Sequence, residues 1–182
     1  MRHNKRAGLS LIETALIISV VGTILAVVIP TFIRALRTSK VAEASIQLNA
    51  LYRATSAYYS GRYREGRKLL SRCLPPQAGP APAKPSDKPL KVDFYSGETP
   101  GAETWRALKF NPSEPLRFCY SFLPRISGCG LHKPPNTPLV ILRAEGDLDG
   151  DNEYSTFERM VVVSEQNELA LEKLLFVKDR TE

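Results

Sequence analysis

From Leu9 to Ile29 the chain is almost wholly apolar, and Glu13 is the only charge in the run. At about 1.5 Å of rise per residue the run makes a helix of roughly 31 Å, the thickness of a bilayer's hydrocarbon core. Beyond Pro30 the pattern changes. Ile33, Leu36, Val41, Ala44, Leu48, Leu51 and Tyr58 recur at helical steps, while Arg34, Arg37, Lys40, Glu43, Gln47 and Arg53 fall largely elsewhere around the helix. This is an amphipathic helix with one apolar stripe, ending near Ser60-Gly61. Proline removes one backbone donor, which a membrane helix tolerates, so the two halves are expected to be continuous. The stripe needs a cover, and a β-sheet built from the rest of the chain is the natural candidate.

Strand patterns dominate the second half. Leu116 to Leu123 puts Phe118, Tyr120 and Phe122 on one face at period two. Pro138 to Ala144 and Thr156 to Ser164 read as two further strands. Gln166-Asn167-Glu168 reads as a turn before Leu169 to Val177, which is either a fourth strand or a short helix. From Arg62 to Pro115 the pattern is weak. Tyr63 to Leu70 reads as a short basic helix, and residues 75–89, rich in Pro and Ala, as an exposed loop. Trp105, Leu108 and Phe110 are expected to pack beneath that loop; the alternative is a Trp within a carbohydrate-binding loop. The predicted fold class is α+β, a long N-terminal helix packed on a small antiparallel sheet.

Charge adds direction to the first helix. Arg2, Lys5 and Arg6 crowd a short leader, and positive charge beside a first apolar helix holds that side in the cytoplasm. A secretory signal peptide would be followed by small residues at A-x-A spacing, but the chain continues as PTFIRALRTSK. A plain signal anchor leaves Glu13 unexplained, because a carboxylate in a membrane helix is costly and marks a function with a partner. Ala15, Ser19, Gly22 and Ala26 line up as a small-residue face, which lets apolar helices approach closely.

Gly8-Leu9-Ser10-Leu11-Ile12-Glu13, followed by Gly22, Pro30 and Phe32, resembles the N-terminal signature of type IV pilins and type II secretion pseudopilins. Leu9 stands where that family usually has Phe, and Thr14 where it usually has Leu or Met. The resemblance covers about the first third of the chain. It implies a leader over residues 1–8 that a prepilin peptidase removes between Gly8 and Leu9, and methylation of the new terminus. Residues 9–29 would then form the membrane and filament-core helix, 30–61 its amphipathic half and 62–182 a periplasmic or extracellular domain. Glu13 would pair with the Leu9 ammonium of a neighbouring subunit, each charge offsetting the other's cost in an apolar setting. The implied partners are other pilins or pseudopilins, an inner-membrane assembly platform and membrane lipid. The implied location is the inner membrane, with a cytoplasmic N-terminus, before transfer to a periplasmic or cell-surface filament.

Net charge is +6, and removing Arg2, Lys5 and Arg6 takes Lys+Arg from 25 to 22 against 19 acids, a balance of +3. That is too mild and scattered to predict specific nucleic-acid binding. Cys73, Cys119 and Cys129 all follow the membrane helix, in what should be an oxidising compartment. Cys119–Cys129 is the expected disulfide, with Cys73 bonded to either as the alternative.

One constellation suggests chemistry. Asp147, Asp149, Asp151, Glu153, Ser155 and Glu158 occupy positions one, three, five, seven, nine and twelve of an EF-hand-like calcium loop. Asn152 stands where that loop has Gly, and the strand pattern from Ser155 onward would splay Glu158 away. The candidate Ca2+ ligands are Asp147, Asp149, Asp151 and Glu158; the alternative is an acidic hairpin turn. No nucleophile–base arrangement is visible, so the expectation is a non-enzymatic filament subunit, with a membrane-anchored periplasmic binding module as the rival.

Overall fold

The computed structural model describes residues 10–148 and 150–178. Gly8, Leu9 and Asp149 lie outside them, as do the side chains of Ile33 and Leu36. The chain divides into two compact units, Met1–Thr38 and Ser39–Glu182.

Helix α1 spans Leu11–Ser60 and carries Pro30 inside it. Within the first unit, Leu11–Phe32 has a mean hydropathy of 2.5 and none of it is buried, so it is long and apolar enough to cross a membrane. Three hydroxyls along it are satisfied by carbonyls of the preceding turn, the usual way a Thr is accommodated in an apolar helix. Thr14 Oγ1 donates to Leu11 O (2.9 Å), Thr23 to Ser19 O (2.8 Å) and Thr31 to Val28 O (2.8 Å).

The second unit is the α+β body. Its helical part, from Ser39, buries Ala44, Leu48, Leu51, Thr55 and Tyr59 as one stripe. The stripe ends on Tyr59, one residue beyond the expected Tyr58, because steps of four and three residues return to the same face of a 3.6-residue helix. Thr55 sits inside the stripe with its hydroxyl donated to Leu51 O at 2.8 Å.

Two strands follow, β1 (Arg62–Glu65) and β2 (Lys68–Ser71), as an antiparallel hairpin. A helix was expected over Tyr63 to Leu70. Gly66, at φ 57°, instead turns the chain back between Glu65 and Lys68, and Tyr63 pairs across with Leu70. The remaining strands form one sheet in the order β3-β4-β5-β6-β7, every pairing antiparallel. They are β3 (Ala78–Ala81), β4 (Phe118–Pro124), β5 (Pro138–Gly146), β6 (Ser155–Val163) and β7 (Leu169–Lys178). Between β3 and β4 lies a short helix, α2 (Ala102–Leu108). The last segment is therefore a strand, entered through a turn in which Asn167 adopts φ 56°.

The Pro-rich segment is the second departure from expectation. It is pinned to the body by backbone pairs at Leu74–Gly128 and Leu90–Leu116, and Ala78 and Ala81 are buried against β4. Trp105, Leu108 and Phe110 are buried, as expected. Phe94 meets both Trp105 and Phe110 edge-on, with centroids 5.2 and 5.3 Å away.

Polar contacts fix α1 across the strands as well as over the core. Glu43 Oε1 accepts from the amides of Arg117 (2.9 Å) and Phe118 (3.3 Å), where β4 begins. Arg159 of β6 donates to Asn49 Oδ1 at 2.7 Å, Tyr52 OH to Leu169 O at 2.9 Å, and Tyr59 OH to Leu131 O at 2.7 Å.

Candidate functional site

At the start of α1, Ser10 and Glu13 form a reciprocal cap. The Ser10 amide donates to Glu13 Oε2 at 2.8 Å and the Glu13 amide to Ser10 Oγ at 3.2 Å. This is the S-x-x-E capping box, which satisfies two helix-end donors at once. The signal was present in Ser10-Leu11-Ile12-Glu13 and gives Glu13 a local partner within its own chain. Around it the helix is bare: Leu11 is 85% exposed and Ile12 78%. An apolar surface of this extent beside one carboxylate is built for lipid or for other helices.

The acidic run is arranged differently from a calcium loop. Asp147 is buried and its two oxygens accept from the amides of Gly150 (2.7 Å) and Asn152 (3.3 Å). Asp151 Oδ1 accepts from the Glu153 amide at 2.8 Å. Gly150 and Asn152 take up positive φ, 87° and 70°, so Asn152 adopts the backbone conformation for which the loop favours Gly. Glu158 stands in β6 opposite Arg143 of β5 and is joined to it, Nε to Oε1, at 2.6 Å. The strand that starts at Ser155 carries Glu158 away from Asp147 and Asp151. Among the described residues no group of three or more His, Cys, Asp or Glu is placed to hold a metal.

The disulfide joins Cys73 to Cys129, not Cys119 to Cys129. The backbone pair Leu74–Gly128 puts Cys73 directly across from Cys129, with their Cα atoms 3.9 Å apart. Cys119 is instead the second residue of β4, on the side opposite to Phe118 and Tyr120, where its Sγ contacts Glu145 O at 3.4 Å. Burial, with Glu145 nearby, pushes this thiol up to about 12. Only a thiolate reacts, so alkylation at pH 8 should label no cysteine in the folded protein, one after denaturation without reductant, and three with reductant. Peptide mapping that places the single label on Cys73 or Cys129 would refute the connectivity.

Trp105 offers no carbohydrate platform, because it is fully buried and its indole N–H is donated to Pro100 O at 3.1 Å. Beside it a shallow groove of about 420 Å³ runs along Pro82, Leu90, Val92, Asp93 and Thr99. Asp93 Oδ1 accepts from the Tyr95 amide at 2.9 Å, and Lys91, Ser96 and Glu98 also line the groove.

No family model matches the chain. No solved structure matches it either. Among curated proteins, the type IV major pilin protein PilA of Myxococcus xanthus is 38% identical over 64 residues. That match covers 35% of this chain and 29% of the pilin, so the chain spans under a third of the relative's length. An exposed apolar helix leading into an α+β body, the plan the sequence pattern predicted, thus accompanies a distant similarity to a type IV major pilin.

Proposed function

We propose that this chain is a structural, non-enzymatic subunit of a filament of the type IV pilus or type II secretion pseudopilus kind. It is held in the inner membrane by Leu11–Phe32 and assembled with other pilins through that helix. The observation that carries this reading is the wholly exposed apolar start of α1, with Glu13 as its one charge, leading into an α+β body. The similarity to a type IV major pilin supports it.

In this reading a prepilin peptidase cuts between Gly8 and Leu9. Glycine leaves the scissile bond unshielded, and cutting frees an α-amine four positions before Glu13. Within one chain the Glu13 carboxylate caps the Ser10 amide. On assembly it exchanges that amide for the Leu9 ammonium of a neighbour, replacing a hydrogen bond with one ionised partner by one in which both partners are ionised. The exchange sets the register between helices.

Intact mass of the protein from its native membrane tests the reading. The mature chain should begin at Leu9, whereas a Gly8→Ala variant and a strain lacking prepilin peptidase should retain Met1 or its immediate successor. A Glu13→Ala variant should be cut normally yet recovered in the membrane and not in sheared filaments. A wild-type chain that keeps its first eight residues, with Glu13→Ala indistinguishable from it, would make Leu11–Phe32 a simple anchor.

A further inference from the structure

We propose that the domains of neighbouring copies pair head to tail, the basic β1–β2 hairpin of one against the acidic β5–β6 turn of the next. This deepens the filament reading and rests on it. The two surfaces lie at opposite ends of the second unit. The hairpin begins two residues after α1 ends at Ser60. The turn sits at the other end of that helical segment, where Lys40 Nζ donates to Leu148 O at 2.5 Å. At 1.5 Å per residue, positions 40 and 60 are about 30 Å apart along the helix.

The hairpin concentrates the charge that looked scattered in sequence. Arg62, Arg64, Arg67 and Lys68 are all exposed, and Glu65 is the lone acid among them. None of the four bases has an ion-pair partner among the described residues. The pairing register puts Arg62 and Arg64 on the same face as Leu69, which is 60% exposed. The opposite face carries Tyr63, whose ring lies 4.9 Å from that of Tyr58 and whose hydroxyl donates to Tyr58 O at 2.8 Å. The arginine face therefore looks away from the body, with an apolar side chain beside its charges.

The complementary surface is the tip of the β5–β6 turn. Asp151 and Glu153 are exposed, Tyr154 beside them is 38% exposed, and neither acid has an ion-pair partner among the described residues. Asp87 lies against the turn, its Cβ 3.8 Å from where a Cβ on Gly150 would stand. Lys84 and Lys88 share the segment of Asp87, so the acidic surface is centred on Asp151 and Glu153. Pairing a basic patch with a different, acidic patch is heterologous and propagates an open chain of copies, whereas hairpin against hairpin would repel.

The test uses the full chain in assembling cells. With Arg64→Cys and Glu153→Cys in one chain, oxidised sheared filaments should run as a ladder of multimers on a non-reducing gel, and neither single variant should. Reversing Arg62, Arg64 and Arg67 to Glu should cut filament yield about tenfold, and adding Asp151→Lys with Glu153→Lys should restore most of it. Wild-type cells that make no filament overturn the filament reading and the contact together. Filaments without a ladder overturn the contact alone. Charge-reversed filaments of normal yield that lose retention on immobilised duplex DNA assign the hairpin to a polyanion, and also overturn the contact.

Discussion

Replacing Trp105 by alanine is expected to cost about 4 kcal/mol of domain stability, among the larger effects of any single substitution. The indole is fully buried at the centre of an aromatic group, 5.2 Å from Phe94 and 5.6 Å from Phe110 by ring centroids. Its N–H and the Gly79 amide both donate to Pro100 O, at 3.1 and 3.0 Å. Alanine would open a cavity and remove one of the two donors to Pro100 O, leaving the Gly79 amide as its remaining partner. In detergent, near-UV circular dichroism of the full chain should show Tm falling by about 10 °C. Trp105→Phe, which keeps much of the ring packing but not the donor, should lose roughly half as much. A fall of under about 1 kcal/mol for the alanine variant would mean that the aromatic group is not a unit of the core.

Loss of the Cys73–Cys129 disulfide should cost about the same. The bond closes a loop of sequence separation 56, for which restriction of the unfolded chain accounts for about 4 kcal/mol. The loop runs from the end of the basic hairpin through β3, α2 and β4, so reduction loosens the Pro-rich segment and the aromatic group together. Wild-type Tm should fall by about 10 °C on adding reductant, while Cys73→Ser with Cys129→Ser should start low and ignore it. Cys119→Ser should keep the full response to reductant, because its thiol takes no part in the bond. A Cys119→Ser protein blind to reductant would reverse the pairing.

What could be read from the sequence was what periodicity encodes. The helical stripe through Ala44, Leu48 and Leu51, the alternation of Phe118, Tyr120 and Phe122, and the runs that became β5 and β6 each repeat one geometry long enough to show, whereas the run that became β7 fits strand and short helix alike. The hairpin escaped because four-residue strands are too short to separate period two from period 3.6, and Gly66 in Glu-Gly-Arg was the sign of the turn. The disulfide escaped because its geometry comes from the isolated Leu74–Gly128 pair, between segments far apart in the chain. Glu158, in β6 and joined to Arg143, shows the limit of spacing, as the strand pattern from Ser155 already implied. Spacing along a loop counts only while the chain remains a loop, and β6 had already begun at Ser155. At the N-terminus, Glu13 was recognised as unusual, but the Ser10 cap that holds it was not.

The Pro-rich segment, which in sequence resembles a linker, ends one side of the five-stranded sheet. Pro80 lies inside β3 and Pro82 directly after it. Neither has an N–H to offer, so an extended chain approaching that border finds gaps where a ladder would need donors. A protein crowded at high density beside identical copies is exposed to runaway strand addition along any open sheet margin. Here the prolines leave that margin short of donors, so that in the proposed filament contacts between copies would fall to side chains.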